Sequence, residues 1–576
     1  MNGLTLLLGS SALFLAGYFV YSKFIARILG IDPSRPTPAH TRQDGCDYVP
    51  AHPAVLFGHH FASIAGAGPI VGPVLAAEFG WASVALWIVL GCIFIGAVHD
   101  MIALFLSIRH GGESIGSVIG TILGRPGKIL FLIFGWSALV LVIAEFTRQI
   151  ANTFVADPGV ASSSLLFIVE AIVFGLVVNK ARISVLKASL VFVPLVFVTV
   201  WIGGLIPLDL VKFGLDKSQA LTIWTVLVLA YCFIASTCPV WILLQPRDYL
   251  NSYLLYAMMA LGFLGVFIAH PTLHIDAFAG FSAVGRSGNT DMLFPFLFVT
   301  VACGACSGFH ALVASGTSAK QLDSEKSVRP IAYGGMLLEG VLAMIALIGV
   351  AGTYAAQKDY VSAIQGMEPV QMFASTIAGF CVKFFSLLGI APEVGKRIAE
   401  AFMLLSVSAF LMTTVDSGTR LARFSWQELV AAFRGGEGTA EQKSAGMVYK
   451  TCHNMYVGTF VVVAIAASLL LGNPKAAKQL WTIFASANQL LASLTLLAAT
   501  LWFIKNRKPC WMTAVPMVLM LGVSSWALSA ILMKACRGGV WTLAVASAFL
   551  IAVAVALVFF AVNRFRSLDG RNGNNP

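Results

Sequence analysis

The residues able to do chemistry are few, and most of them sit inside long apolar runs. They are His59-His60, His99-Asp100, Glu145 with Arg148, Cys303-x-x-Cys306 followed by His310, Glu339, and Asp416 with Arg420. An imidazole can donate and accept hydrogen bonds and titrates near pH 6.5 when unperturbed, so His59 and His60 could carry protons. Neighbouring residues on a helix point about 100° apart, so the two are not expected to face one cavity; His60 is slightly favoured, with a hydrogen-bonded structural histidine as the competing reading. Asp100 and Glu339 are the carboxyls expected to carry a coupled proton, against a purely structural bond to a neighbouring helix. Glu145 and Arg148, three residues apart, can neutralise each other on one helix face. The Cys303/Cys306 spacing resembles a metal site, but a structural zinc site needs a second pair and none follows, so no metal and no cofactor are expected. Nucleophile-elbow, Walker A, dinucleotide and His-Glu-x-x-His motifs are absent from the sequence, and an enzyme is not expected.

Those residues must be positioned by elements of unusual composition. Charged residues are 11% of the 576, the apolar set is 58%, and mean hydropathy is +0.86. A soluble globular domain carries about 25% charge, so this is an all-α polytopic membrane protein. The net charge of +11 is spread singly between apolar runs, which argues against nucleic acid as a partner. The ten cysteines are dispersed, and a disulfide framework is not expected. Counting runs of roughly 20 apolar residues predicts about fifteen spans. They lie near 3–22, 54–78, 81–107, 129–151, 163–179, 184–206, 221–245, 250–269, 292–317, 331–354, 396–415, 447–471, 479–503, 511–533 and 540–562. With the N-terminus outside, about 25 of the 37 Lys and Arg fall in cytoplasmic segments, as the positive-inside rule requires. The C-terminus is then cytoplasmic, with a Gly/Asn-rich tail over 563–576 expected to be disordered.

Three spans are interrupted. Gly66, Gly68, Pro69, Gly72 and Pro73 predict a helix, an unwound stretch and a second helix within 57–73. Unwound backbone survives in a membrane only where it lines a cavity; there, free N–H groups suit an anion and free carbonyls a cation. Ala235-Ser236-Thr237-Cys238-Pro239 predicts a second break five spans later, and so in the opposite orientation, which suggests an inverted repeat whose broken helices meet at the midplane. Ala302 to His310 is the third, with Ser307 adding a hydroxyl; a packing seam of small residues is its alternative. Candidate substrate-binding residues are therefore His59, His60, Ser63, Gly66, Gly68, Ser236, Thr237, Ser307 and His310. Asp416 and Arg420 end one span as gate or structural residues, and Asn488-Gln489 would hydrogen-bond between helices.

The run from Gly58 through Ala77 closely resembles the signature of the carbon starvation protein A (CstA) family. Gln245 to Leu250, Ala302 to His310, Thr414 to Leu421 and Ala487 to Ala492 are similar to further stretches of it, and the likeness runs from residue 1 to beyond 530. It implies a bacterial inner-membrane secondary transporter linked to uptake of pyruvate or peptides during nutrient limitation, by proton symport. It also implies a five-plus-five inverted-repeat, leucine-transporter-like core with one N-terminal and four C-terminal extra helices. The Glu145/Arg148 pair is not part of the family pattern.

The expected organisation is an N-terminal span and loop (1–53), the transporter core (54–420), a cytoplasmic amphipathic segment (421–446), C-terminal helices (447–562) and the tail. The expected function is proton-coupled import of a small carboxylate such as pyruvate, with the bilayer, the substrate and the proton as partners. Peptide import, sodium coupling through Ser307 and the carbonyls near Gly66, and a membrane nutrient sensor are the alternatives; no appended signalling domain favours the sensor.

Overall fold

A computed structural model of the chain describes all residues except 46, 240, 287, 435–445, 473–476, 478 and 573–576, with no side chains beyond 566. Among the described residues the only paired strands are Ser282–Val284 and Thr290–Met292, a hairpin outside the helices. Among the described residues thirteen helices are long and apolar enough to cross a membrane, or up to fourteen counting one bent pair as a span. The protein is an all-α multi-pass membrane protein.

The chain's two ends of travel can be told apart by contacts. Gly3 N–H donates to the Pro271 carbonyl at 2.7 Å and His274 N–H to Ala351 at 2.8 Å, so the start of the first helix meets the ends of Leu244–Ala269 and Gly334–Thr353. This is termed here the N-terminal face. At the opposite face Ala51 N–H donates to Gln321, Arg109 pairs with Glu325 at 2.8 Å, Lys508 reaches the Ile28 and Leu29 carbonyls, and Arg125 reaches those of Ala432 and Phe433. Arg109, Arg125 and Lys508, three of the basic residues that the sequence assigned to one side, thus meet at one face, while Arg247, counted with them, is buried inside the bundle.

Several expected spans differ in detail. The span read as 129–151 belongs to Ile115–Ala156, which turns at Gly124, where φ of +79° suits glycine, just ahead of Pro126. The span read as 292–317 is a string of short pieces, Leu293–Thr300, Ala302–Ala305, Phe309–Val313 and Ala314–Ser318. The expected separate segment at 421–446 is instead the continuation of one helix, Pro392–Arg434; 43 residues at about 1.5 Å each exceed the hydrocarbon thickness twofold, so its last turns stand in the loop layer. Residues 435–445 lie outside the described part. Trp541–Asn572 likewise stays helical through most of the expected tail, and 573–576 are not described.

One apolar helix was missed, Pro369–Leu387, and it does not add a crossing. Beta-carbons built on Gly262 and Gly265 would meet Ile377 and Cys381 in turn; those on Gly349 and Gly352 would meet Thr376 and Phe380. The helix thus runs parallel to Leu244–Ala269 and Gly334–Thr353, toward the N-terminal face, which the chain had already reached at Thr353. Between them, Gln357–Gly366 turns inward, and Tyr360 donates to the Val74 carbonyl at 2.6 Å. The two helices form a re-entrant hairpin over the N-terminal half of the bundle. Its charged residues and modest hydropathy, 1.4 against 2.9 for the last span, kept it out of the sequence reading.

Candidate functional site

The first interrupted span is Pro53–Ile64 and Gly68–Phe79, bent by 43°. Ala65 leaves the helical region at φ −76°, ψ 63°, and Pro69 falls in the first turn of the second half, where a missing N–H costs nothing. Its partner is the break at 301–308. A β-carbon on Gly68 would overlap the Cys303 side chain, and one on Gly72 would sit 2.7 Å from the Thr300 carbonyl. Residue number rises along one side of this contact as it falls along the other, so the two segments run antiparallel. The expected partner at 235–239 is not there. The helix Lys217–Thr237 ends in a turn at the opposite face, Thr237 bonds only its own helix at Phe233 and Ile234, and Ser236 lies 3.3 Å from Thr459. The Pro239 signal was a helix stop, which a sequence cannot tell from an intramembrane break when apolar residues continue on both sides.

Asn488 holds the second break together. Its Oδ1 accepts from Phe309 N–H at 2.8 Å, its Nδ2 donates to Ser307 Oγ at 3.0 Å and to Cys303 Sγ at 3.2 Å, and its own carbonyl accepts from Gly308 N–H at 3.1 Å. Unwound backbone in a low-dielectric bundle needs such partners, because each unmade bond costs about 1–3 kcal/mol. Gln489 instead reaches outward, donating to the Phe298 carbonyl at 3.0 Å and accepting from Ser524.

Against the breaks lies a fully buried acid–imidazole chain. Asp100 Oδ1 is 2.8 Å from His99 Nδ1, and its Oδ2 is 2.7 Å from His310 Nδ1; His310 Nε2 is 3.3 Å from Glu339 Oε2. Three helices contribute, and the two carboxylates expected to titrate are joined through the histidine that the sequence reading placed with the substrate. His60 is buried alongside, its Nδ1 2.8 Å from Ser318 Oγ. His59 points away, 3.4 Å from Asp248. The adjacent histidines therefore serve two clusters, as the helical angle requires. Ser63 donates to its own helix at the His59 carbonyl.

Gly66, Gly68, Cys303, Ser307 and Thr414 line a cavity of about 10 Å³, with Ile64, Val142, Phe146, Phe309 and Phe484 around them. That is room for roughly one water, where small-ligand sites occupy about 300–1,000 Å³, so this conformation is closed. Toward the N-terminal face Phe146 meets Phe484 edge-on with centroids 5.5 Å apart, and Trp481 packs on Phe484. Toward the opposite face a second buried cluster intervenes. Arg247 pairs with Asp416 and Tyr231 and donates to Thr413 Oγ1 at 3.1 Å, while Arg420 caps the ending helix at the Ala235 and Cys238 carbonyls. The positive-inside count placed Arg247 in a cytoplasmic segment; it is instead buried in the bundle, because the helix Leu244–Ala269 that carries it packs against Lys217–Thr237 and Pro392–Arg434 and brings it to Tyr231 and Asp416. Among the described residues no group of three His, Cys, Asp or Glu has metal-holding geometry.

Glu145 and Arg148 form the expected pair, bidentate at 2.7 and 3.1 Å, and are joined by Glu368 of the re-entrant hairpin and Arg286 of the strand hairpin.

The profile described as carbon starvation protein CstA matches residues 2–363 and 352–527. The peptide transporter CstA of Campylobacter jejuni is 33% identical across 90% of this chain and 79% of its own length. The peptide transporter CstA of Escherichia coli is 32% identical across 90% and 80%. The pyruvate/proton symporter BtsT of Escherichia coli is 31% identical across 92% and 81%. With the profile spanning nearly the whole sequence and relatives of this likeness over most of both lengths, the chain belongs to the carbon starvation protein CstA family.

Proposed function

We propose that this protein is a proton-coupled secondary importer of a small carboxylate such as pyruvate, working in a bacterial inner membrane with its N-terminus outside and its basic face in the cytoplasm, and not an enzyme. The observation that carries the reading is the buried chain from Asp100 through His310 to Glu339, set against two packed helix breaks. With His310 Nδ1–H donating to Asp100, the Nε2 lone pair faces Glu339. Glu339 Oε2 stands 3.3 Å from that nitrogen without a hydrogen bond between them, so a small reorientation of a protonated Glu339 would let it donate there and leave an imidazolium between two carboxylates. Asp100, already accepting from two imidazoles, acts as the fixed charge that makes His310 a good proton holder. The proton can thus reside on Glu339 or His310, and its position changes the charge beside Cys303 and Ser307, where the substrate would bind once the cavity opens. A protonated site offsets the charge of an incoming carboxylate, which is the energetic basis of symport. The two antiparallel breaks are seven spans apart, an odd number, so an inverted repeat would pair the half beginning at Pro53 with the half beginning at Leu293.

Two relatives carry the name peptide transporter, which supports peptide import as the second reading. Uptake of labelled pyruvate into proteoliposomes under an imposed inward-acid gradient tests the first: gradient-dependent accumulation supports it, and accumulation of labelled dipeptides with none of pyruvate would replace it with the second. Replacing sodium by choline without effect separates proton from sodium coupling.

A further inference from the structure

His60 lies beside the acid–imidazole chain, is fully buried and does not line the cavity. Its Nδ1 is 2.8 Å from Ser318 Oγ, while its Nε2 has no hydrogen-bond partner; the same holds for both carboxyl oxygens of Glu339 and for Nε2 of His310. Gly335 shows where the free nitrogen of His60 points. A β-carbon built on Gly335 would sit 3.5 Å from His60 Cδ2, 4.0 Å from its Nε2 and 3.4 Å from Ile64 Cδ1, so the missing side chain leaves room there for one small group. Glu339 stands one turn further along the same helix, and a helical side chain leans back over the turn before its own, here the turn of Gly335. The His60 ring and the Glu339 carboxyl therefore border one notch. The other titratable groups acting on His60 are Asp100, His310 and its neighbour His59. On the remaining helices packed against Pro53–Ile64, Asp248 meets His59, Asp416 meets Arg247, and Tyr333 donates to the Ile93 carbonyl at 2.9 Å. The helices that lend Asp100, Ser318 and Glu339 widen into π-helical turns at Cys92–Gly96, Ala314–Ser318 and Arg329–Tyr333, a distortion that gathers at functional sites.

We infer that His60 is the relay by which the coupled proton passes between the buried chain and the basic face, exchanging it with Glu339 across the Gly335 notch and with the basic face past Ser318. With Nδ1–H donating to Ser318 Oγ, the Nε2 lone pair is free to accept. A protonated Glu339 gives its proton across the notch, through a water that these unpartnered groups are placed to hold, and is left a carboxylate. His60 becomes an imidazolium, and release of its Nδ1 proton toward Ser318 leaves the ring neutral. Ser318 is three residues from Gln321, whose carbonyl accepts from Ala51 N–H at the basic face, so the proton emerges within about one helical turn of that face. A histidine kept only for packing would leave Nε2 buried and unpaired at a cost of about 1–3 kcal/mol with no return. The inference rests on the reading that a proton moves with the substrate, and it takes His60 from the candidate substrate contacts to the inner branch of the proton path.

Full-length protein in lipid nanodiscs, without substrate, is given a proton jump by photolysis of a caged acid. Protonation of Glu339 is followed by time-resolved infrared difference spectroscopy, its carboxyl band being the one that Glu339→Gln removes. His60→Gln, which keeps a donor for Ser318 but takes up no proton, should slow the rise of that band by about 10²-fold, the contribution of a positioned acid–base group, with the final amplitude unchanged. Gly335→Ala, whose methyl fits at ordinary contact distances and fills the notch, should slow it by about tenfold with His60 and its Ser318 bond intact. A relay changes the rate and not the end point, so an unchanged rate in His60→Gln, or an amplitude lost together with the rate, overturns the inference. Should His60→Gln fail to fold, Gly335→Ala decides, and a wild-type rate there overturns it. A wild type with no Glu339 band overturns the reading of Glu339 as a proton site and the relay with it. Where the band is present and the rates do not change, the relay alone fails and the proposed transport stands, because no substrate enters the measurement.

Discussion

Substituting Gly68 by Ala tests the packing of the two breaks most directly. A β-carbon there overlaps both the Cβ and the Sγ of Cys303, and the nearest backbone atom, Cys303 Cα, is at 3.7 Å. The clash is therefore with a side chain that cannot retreat, because Cys303 is buried and bonded by Asn488. Overpacking of this kind costs about 1–3 kcal/mol. Cys303→Gly removes both clashing atoms and leaves the backbone in ordinary contact distance. On its own it should cost about 1–2 kcal/mol through the lost Asn488 bond and added backbone freedom. The double variant should be no less stable than Cys303→Gly alone, a coupling of about the full Gly68→Ala penalty. Equilibrium unfolding by SDS titration in detergent micelles measures all four corners of the cycle. Additive penalties, with Gly68→Ala equally harmful in the Cys303→Gly background, would refute the packing of 65–68 on 301–308.

Two further outcomes follow from the same geometry. Asn488→Leu should destabilise by about 1–3 kcal/mol by stranding Phe309 N–H, and should weaken substrate affinity in equilibrium binding more than Gln489→Leu does. Arg247→Ala leaves Asp416 buried without its cation and should cost about 3–5 kcal/mol, whereas Arg247→Met with Asp416→Leu should recover most of that in the same unfolding assay.

Membrane residence, the sorting of basic loops to one face and the existence of the first break were legible in the sequence, because each rests on local properties. Hydropathy, Lys/Arg position and Gly-x-Gly-Pro backbone chemistry need no knowledge of neighbours. The acids at 100 and 339 were equally visible, since a charge in an apolar run stands out against its surroundings. What joins them could not be seen: His310 connects Asp100 to Glu339 only because helices 210 and 29 residues apart in sequence converge, and spacing along the chain carries no record of that. The same limit explains the wrong partner chosen for the first break. Two Pro/Ser/Thr-rich interruptions look alike in one dimension, and only packing distinguishes a helix end at the surface from an unwound turn wedged against Gly68 and Gly72. Asn488 passed for ordinary interhelical glue because an amide's role is set by which backbone groups it meets. The sequence by itself determined that this is a polytopic α-helical membrane protein with titratable groups in its interior. Tertiary structure decided which of them touch, that the apolar helix at 369–387 turns back instead of crossing, and that Glu368 and Arg286 join the Glu145–Arg148 pair, because long-range contact is a property of the packed bundle and not of any segment in it.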